Sequence, residues 1–332
     1  MRRTTKFLVV PSILGALALS ACGGDSGSSE GDPLRVAGIF SGPTTDADYN
    51  ALGLQALDEL EEDGAEVSYS ESVPVPDIER VLQEYVADGY DVVWTHGSQF
   101  YEATAKIAKQ NPDVNFIGEF DGEPEGQPDN VWVLDRNFHT VFYPIGTLAA
   151  NLTDSGKVGY LGGLSLPFSY SEVHAMRQAI KDSGKEVELN TVWSGDFNDT
   201  VKAQQLTSQL LSQDNDVIVT SLNLGAVGSF KAMSKVDPGD AWLTVKYTDK
   251  SKNDPDHYAA TVLYDFKAPV NEIVTDISDG TTSGYYQITF GKGASVEMAD
   301  AIPKNVRAKV DESVKGITDG SIEVELDQSE TK

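Results

Sequence analysis

Several residues suited to gripping a small polar molecule sit in short stretches that follow apolar runs. Ser41–Asn50 follows Leu34–Phe40 and carries Asp46, Tyr49 and Asn50. A tyrosine offers a flat face for stacking, while a carboxylate and an amide fix hydroxyls or ring nitrogens. The same residues also suit local structure, with Asp46 or Asp48 as a helix N-cap and Tyr49 as packing. Ser98, within Thr95–Phe100, stands where a helix opens; it offers a hydroxyl and backbone N–H groups to an acceptor, or simply caps the helix. Glu119 and Asp121 place two carboxylates around the ring of Phe120. Farther on, Phe197 supplies another exposed ring and Gly225 lies in a turn where backbone can come close to a ligand. Asp249 closes Tyr247-Thr248-Asp249 with a carboxylate.

These are groups for holding, and the usual signatures of turnover are missing. There is no G-x-S-x-G elbow set between an apolar strand and a helix, no Walker glycine loop and no dinucleotide fingerprint. Four scattered histidines (His96, His139, His174, His257) show no ligand spacing, and a single cysteine excludes a cysteine-based metal site. No catalytic residue, metal or cofactor is therefore expected.

The elements that must position these residues alternate along the chain. Leu34–Phe40, Glu66–Val73, Val92–Thr95, Asn115–Phe120 and Val131–Leu134 read as strands; 47–62, Asp77–Ala87 and Glu102–Lys109 read as helices. The alternation restarts with strands at Lys157–Leu161, Val187–Trp193, Val217–Thr220 and Trp242–Tyr247. Helices at Tyr170–Lys181, Thr200–Ser212 and Val227–Ser234 lie between them. Such alternation implies right-handed βαβ units and parallel sheets covered on both faces. Two runs of it predict an α/β fold of two lobes, each a parallel sheet flanked by helices, with a ligand cleft between them. In open α/β sheets ligands bind beyond the carboxyl ends of the strands, where the residues above fall. Ala259–Phe266, Pro269–Ile277 and Tyr285–Phe290 read as strand, helix and strand completing the first lobe before the chain recrosses. The expected division is 34–136 plus 250–290 for the N-terminal lobe and 137–249 plus 291–332 for the C-terminal lobe. The acidic tail after Asp319 is expected to fray.

The chain opens with Arg2, Arg3 and Lys6, an apolar run from Phe7 to Leu19, then Ser20-Ala21-Cys22. This is the pattern of a signal peptide over 1–21, too short to span a membrane. Leu19-Ser20-Ala21-Cys22 resembles the lipobox of bacterial lipoproteins, in which the cysteine carries the lipid. Residues 22–33, rich in Gly and Ser, then read as a flexible tether. A lipid-anchored protein on the extracytoplasmic face of the cell membrane follows. The formal charge is −27. Removing the leader's three cations leaves 22 basic against 52 acidic residues, a net charge of −30. That field repels phosphate backbones and anionic lipid, which argues against nucleic acid and leaves the lipid as the only membrane link.

A family resemblance covers most of the chain. Asp46-x-x-Tyr49-Asn50 with Gly53, Asp91-Val92-Val93 with Gly97, and Asn111–Phe116 are similar to the Bmp family of solute-binding lipoproteins. So are Tyr143-x-x-Gly146-x-x-Ala149, Gly156–Gly163 and Trp193–Phe197. The resemblance implies a two-lobed clamp of the periplasmic-binding-protein type I fold with three crossovers. It also implies a nucleoside ligand, chiefly purine, and an ABC permease as partner. By the same resemblance Asp46, Tyr49, Asn50, Phe197, Gly225 and Asp249 are ligand residues. Two positions depart from the pattern: Phe120, between Glu119 and Asp121, stands where relatives have an aspartate, and Tyr264 where they have a lysine. A ligand-sensing lobe for a signalling partner and an extracellular nucleoside hydrolase are the competing readings.

Overall fold

The computed structural model describes residues 33–331; the leader, Cys22 and nearly all of the tether lie outside them. The first half reads β1 (Arg35–Phe40), α1 (Tyr49–Glu62), β2 (Glu66–Ser70), α2 (Ile78–Ala87), β3 (Val92–His96), α3 (Tyr101–Ala108), β4 (Asn115–Phe120) and β5 (Val131–Asp135). Then come α4 (Phe138–Leu152), β6 (Lys157–Gly162), α5 (Pro167–Asp182), β7 (Glu188–Trp193), α6 (Thr200–Ser212), β8 (Val217–Ser221), α7 (Ala226–Met233) and β9 (Trp242–Tyr247). The chain closes with β10 (Tyr258–Tyr264), α8 (Lys267–Ser278), β11 (Gly284–Gln287), β12 (Thr289–Phe290), β13 (Gly293–Met298) and α9 (Lys304–Thr318).

One sheet has the order β2-β1-β3-β4-β5-β11 and is parallel throughout. The other runs β7-β6-β8-β9-β10-β13-β12, parallel from β7 to β10, with β13 antiparallel to β10. The central strands β3, β5 and β8 are buried along their whole length, as parallel strands covered on both faces must be. Both sheets reverse strand order beside their first strand, so each has a crevice at its carboxyl edge.

Two expectations about the crossovers need correction. β10 was expected in the first lobe, yet it pairs with β9 in the second sheet. The chain returns only at Asp265, when α8 packs against α1, where Asn271 Nδ2 donates to Glu59 Oε1 at 3.0 Å. An apolar strand looks the same whichever sheet receives it, because pairing partners are fixed by long-range contacts. Similarly, the expected strand Tyr285–Phe290 is two pieces in different sheets, parted at the buried Ile288. Its N–H donates to Asp135 O, and its carbonyl accepts Asn137 Nδ2 at 3.0 Å, tying the first crossover to the third.

The tail also departs from expectation. Residues 320–331 run along α5, with Val324 buried, Gln178 Nε2 donating to Glu323 O and Glu325 N donating to Gln178 Oε1. Gln328 Nε2 then reaches Asp121 O of the first lobe at 2.7 Å. Polar side chains on α5 satisfy the backbone of a segment that has no periodicity of its own.

Candidate functional site

Between the two sheets lies a cluster of buried charged and aromatic side chains. Tyr49, at the start of α1, stacks on His96 at 3.8 Å and 17°, with Tyr247 of the second lobe 4.9 Å away on a tilted plane. The Tyr49 hydroxyl donates to Glu119 Oε2 at 2.5 Å and accepts from Arg136 Nη1 at 3.2 Å. Glu119 Oε1 meets His96 Nδ1 at 2.5 Å, and Arg136 Nε lies 3.3 Å from Glu119 Oε2. Burial works to raise the Glu119 carboxyl, but His96 and Arg136 outweigh it and hold it below the usual range. Arg136 occupies the first crossover, and its guanidinium lies 4.5 Å from the Phe138 ring centre and 4.9 Å from that of Phe168.

The second lobe contributes its own buried charge pair. Lys246 Nζ, on β9, lies 3.3 Å from Glu172 Oε1, and Tyr160 donates to Glu172 Oε2 at 2.5 Å. The ammonium also sits 4.6 Å from the Phe138 ring centre and 4.7 Å from that of Tyr247. Burial pushes the Lys246 pKa down to about 8, against the pull of Glu172. Both lobes are latched at the rim: Lys250 Nζ meets Asp48 Oδ1 at 2.8 Å, and Ser171 Oγ donates to Asp121 Oδ2 at 2.6 Å. Burial lifts the Asp48 carboxyl to about 6 despite Lys250. Burial, reinforced by Asp135, lifts that of Asp121 to about 7.

Backbone strain concentrates here. Ala47, Asn137 and Tyr247 have φ of 55°, 53° and 76°. For a tyrosine such a conformation is a genuine outlier, kept only where surroundings over-determine it. All three flank the interface between the lobes, Tyr247 at the end of β9 and Asn137 at the first crossover.

The sequence candidates divide into those that meet at this interface and those that do not. Tyr49, Ser98, Glu119, Asp121 and Tyr264 meet. Ser98 Oγ accepts from Arg136 Nη2 at 2.9 Å, and Tyr264 donates its hydroxyl to Arg136 O at 2.9 Å. Ser98, Asp121 and Phe168 also border a cavity of about 130 Å³ between the lobes, with Gln328 at its edge. Asp46 and Asn50 are occupied otherwise. The Asp46 carboxylate accepts from the N–H groups of Asp48, Asn50 and Ala51 and from Asn50 Nδ2, while Asn50 Oδ1 accepts from Gly42 N. They fix the turn that aims Tyr49, which is the capping alternative.

Phe197 packs nearly parallel to Phe168, with centroids 6.1 Å apart and planes at 20°. Gly225 is needed by the protein itself, because a Cβ there would sit 2.8 Å from Phe197 O. Asp249 is exposed and accepts from Ser251 N at 2.8 Å; it borders a wider opening with Leu52, Tyr247 and Tyr264 and is not itself buried with the charged cluster. Arg136, His96, Glu172, Lys246, Phe138, Phe168 and Tyr247 escaped sequence reasoning. Lys246 left one signal, a cation inside the apolar run of a strand whose interior is buried. Among the described residues no group of three or more His, Cys, Asp or Glu side chains is arranged to hold a metal.

Comparison with known proteins gives a consistent result. A family described as Bmp, ABC transporter substrate-binding protein PnrA-like, matches residues 34–325. The CD4+ T-cell-stimulating antigen of Listeria monocytogenes is 24% identical, over 98% of this chain and 99% of its own. Basic membrane protein A of Borreliella burgdorferi is 21% identical, over 95% and 93%. Among solved structures, an ABC transporter solute-binding protein from Aeropyrum pernix superposes with a TM-score of 0.79 at 18% identity, covering 90% of this chain and 94% of that one. Another, from Conexibacter woesei, gives a TM-score of 0.69 at 24% identity, covering 88% and 98%. These structures share the two-lobed type I fold.

Proposed function

The chain belongs to the Bmp family of PnrA-like ABC-transporter substrate-binding proteins, and from that premise we propose that it is the lipid-anchored, extracytoplasmic receptor of an importer whose lobes close on a purine nucleoside. The observation that carries this reading is the cluster between the lobes. Aromatic faces (Tyr49, Phe168, Tyr247) and buried hydrogen-bonding charges (Glu119, Arg136, Lys246) suit a flat, polar, uncharged molecule. Closure trades bulk water for stacking and hydrogen bonds, and the closed form docks on the permease. The lipid on Cys22 keeps the receptor beside it. Among the described residues the buried charges are paired with one another rather than arranged as nucleophile and base, which favours a ligand that leaves unchanged.

The test uses soluble protein beginning near Asp32. Mass spectrometry of co-purified small molecules identifies the ligand, and calorimetry against a nucleoside panel measures saturable binding, with thermal stabilisation growing as ligand exceeds its Kd. Chromatography after long incubation should recover the nucleoside intact. Free base or ribose released at enzymatic rates would replace this reading with hydrolysis, and absence of binding across the panel would end it.

A further inference from the structure

Donors and acceptors in the interface between the lobes do not balance. Three of the buried carboxylates are spent on protein partners, while Asp48 at the rim keeps Oδ2 without one among the described residues. Glu119 serves Tyr49, His96 and Arg136; Glu172 serves Tyr160 and Lys246; Asp121 serves Ser171 Oγ and Phe138 N. The buried cations are not. Lys246, 1% exposed, has three N–H groups and one protein acceptor among the described residues, Glu172 Oε1 at 3.3 Å. Arg136, 2% exposed, donates from Nη1 to Tyr49 and from Nη2 to Ser98. Its Nε is close enough to Glu119 for charge pairing but too poorly aligned for a hydrogen bond. Cationic donors left unmatched in so dry a place are costly, so an incoming molecule that supplies acceptors is favoured. Both cations lie against Phe138 and Phe168, at 4.5 to 5.7 Å from the ring centres. Those ring faces are covered by the cations, so a flat molecule entering beside them meets the N–H groups with its polar edge.

Resting on the nucleoside reading above, we propose that Lys246 and Arg136 set specificity by donating to the carbonyl edge of the base, so that the receptor selects 6-oxopurine nucleosides over 6-aminopurine ones. The 6-oxo group and N7 are adjacent acceptors, the edge that arginine and lysine read in guanine. A 6-amino group puts a donor against donors and leaves the cations short.

Calorimetry with inosine, guanosine, adenosine, unsubstituted purine riboside and inosine 5′-monophosphate tests this. Inosine and guanosine should bind roughly 10- to 100-fold more tightly than adenosine and purine riboside, the range of one good bidentate base contact. Lys246→Gln keeps a donor for Glu172 and should shrink that ratio; Arg136→Lys should do the same, with circular dichroism and melting temperature checking the fold. If a variant fails to fold, the wild-type comparison of inosine with purine riboside still decides. Equal binding of adenosine and inosine overturns the inference while leaving the nucleoside reading intact. Tighter binding of the monophosphate than of inosine also overturns it, since the donors then read a phosphate. Failure of every nucleoside overturns both.

Discussion

At the scale of residues, Tyr49 shows how far type and spacing carry. Its place after the first strand marked it as a cleft aromatic, and it stands at the interface with Tyr247. Asp46 and Asn50, equally conspicuous, prove to be the scaffold of its turn. Sequence left both roles open for good reason, because a carboxylate that caps a helix and one that binds a hydroxyl are the same residue in the same place. Tyr49→Phe removes the donor to Glu119 and an acceptor of Arg136, both buried. It should cost about 1.5–3 kcal/mol of stability, read as a lowered denaturation midpoint, since the bond involves a charged partner. An unchanged midpoint would mean that the Glu119 cluster is already satisfied without it. Lys246 and Arg136 illustrate the opposite case. A cation is ordinarily a surface residue, and only the tertiary fold reveals these two as buried.

At the scale of elements, most strands and amphipathic helices were legible because their periodicities are local, though β13 and the amphipathic α9 went unread. Nor was α4 legible, since it is apolar nearly all round, carries Pro144 inside, and offers no stripe to recognise. Its neighbours α5 and α9 bury it from several sides. The junction of α6 and α7 depends on Gly228, where a Cβ would come within 1.9 Å of Thr200 O. Gly228→Ala should therefore destabilise by at least about 1–3 kcal/mol, the usual cost of overpacking, because backbone cannot yield as a side chain does. A wild-type thermal midpoint for that variant would contradict the packing. The tail along α5 predicts its own outcome. Truncation after Asp319 removes the contacts of Val324, Glu325 and Gln328, so the midpoint should drop while far-ultraviolet circular dichroism stays nearly the same.

At the scale of the whole molecule, the latches between the lobes make stability depend on pH. Asp48 and Asp121 have folded pKa values near 6 and 7, above their ordinary 3.8. The folded state thus holds protons that the unfolded state has lost, a contribution complete at low pH and lost as pH rises through 6 to 7. His139, whose pKa burial pushes down, works the other way below its ordinary value, but as one group against two. The melting temperature should fall between pH 5.5 and 7.5, and Asp121→Asn should flatten that slope; an identical slope in the variant would remove Asp121 as its source. Cys22→Ser tests the anchor, which should no longer carry a lipid-sized mass increment or partition into detergent. The chain by itself determined the fold class and the restart that makes two lobes, because each rests on short-range pattern. Only the tertiary structure decided that β10 joins the second sheet, that Asp249 stays outside the charged cluster, and that Lys246 and Arg136 enter it. Those outcomes turn on which distant segments pair and on what burial does to a charge, and no local stretch of sequence encodes either.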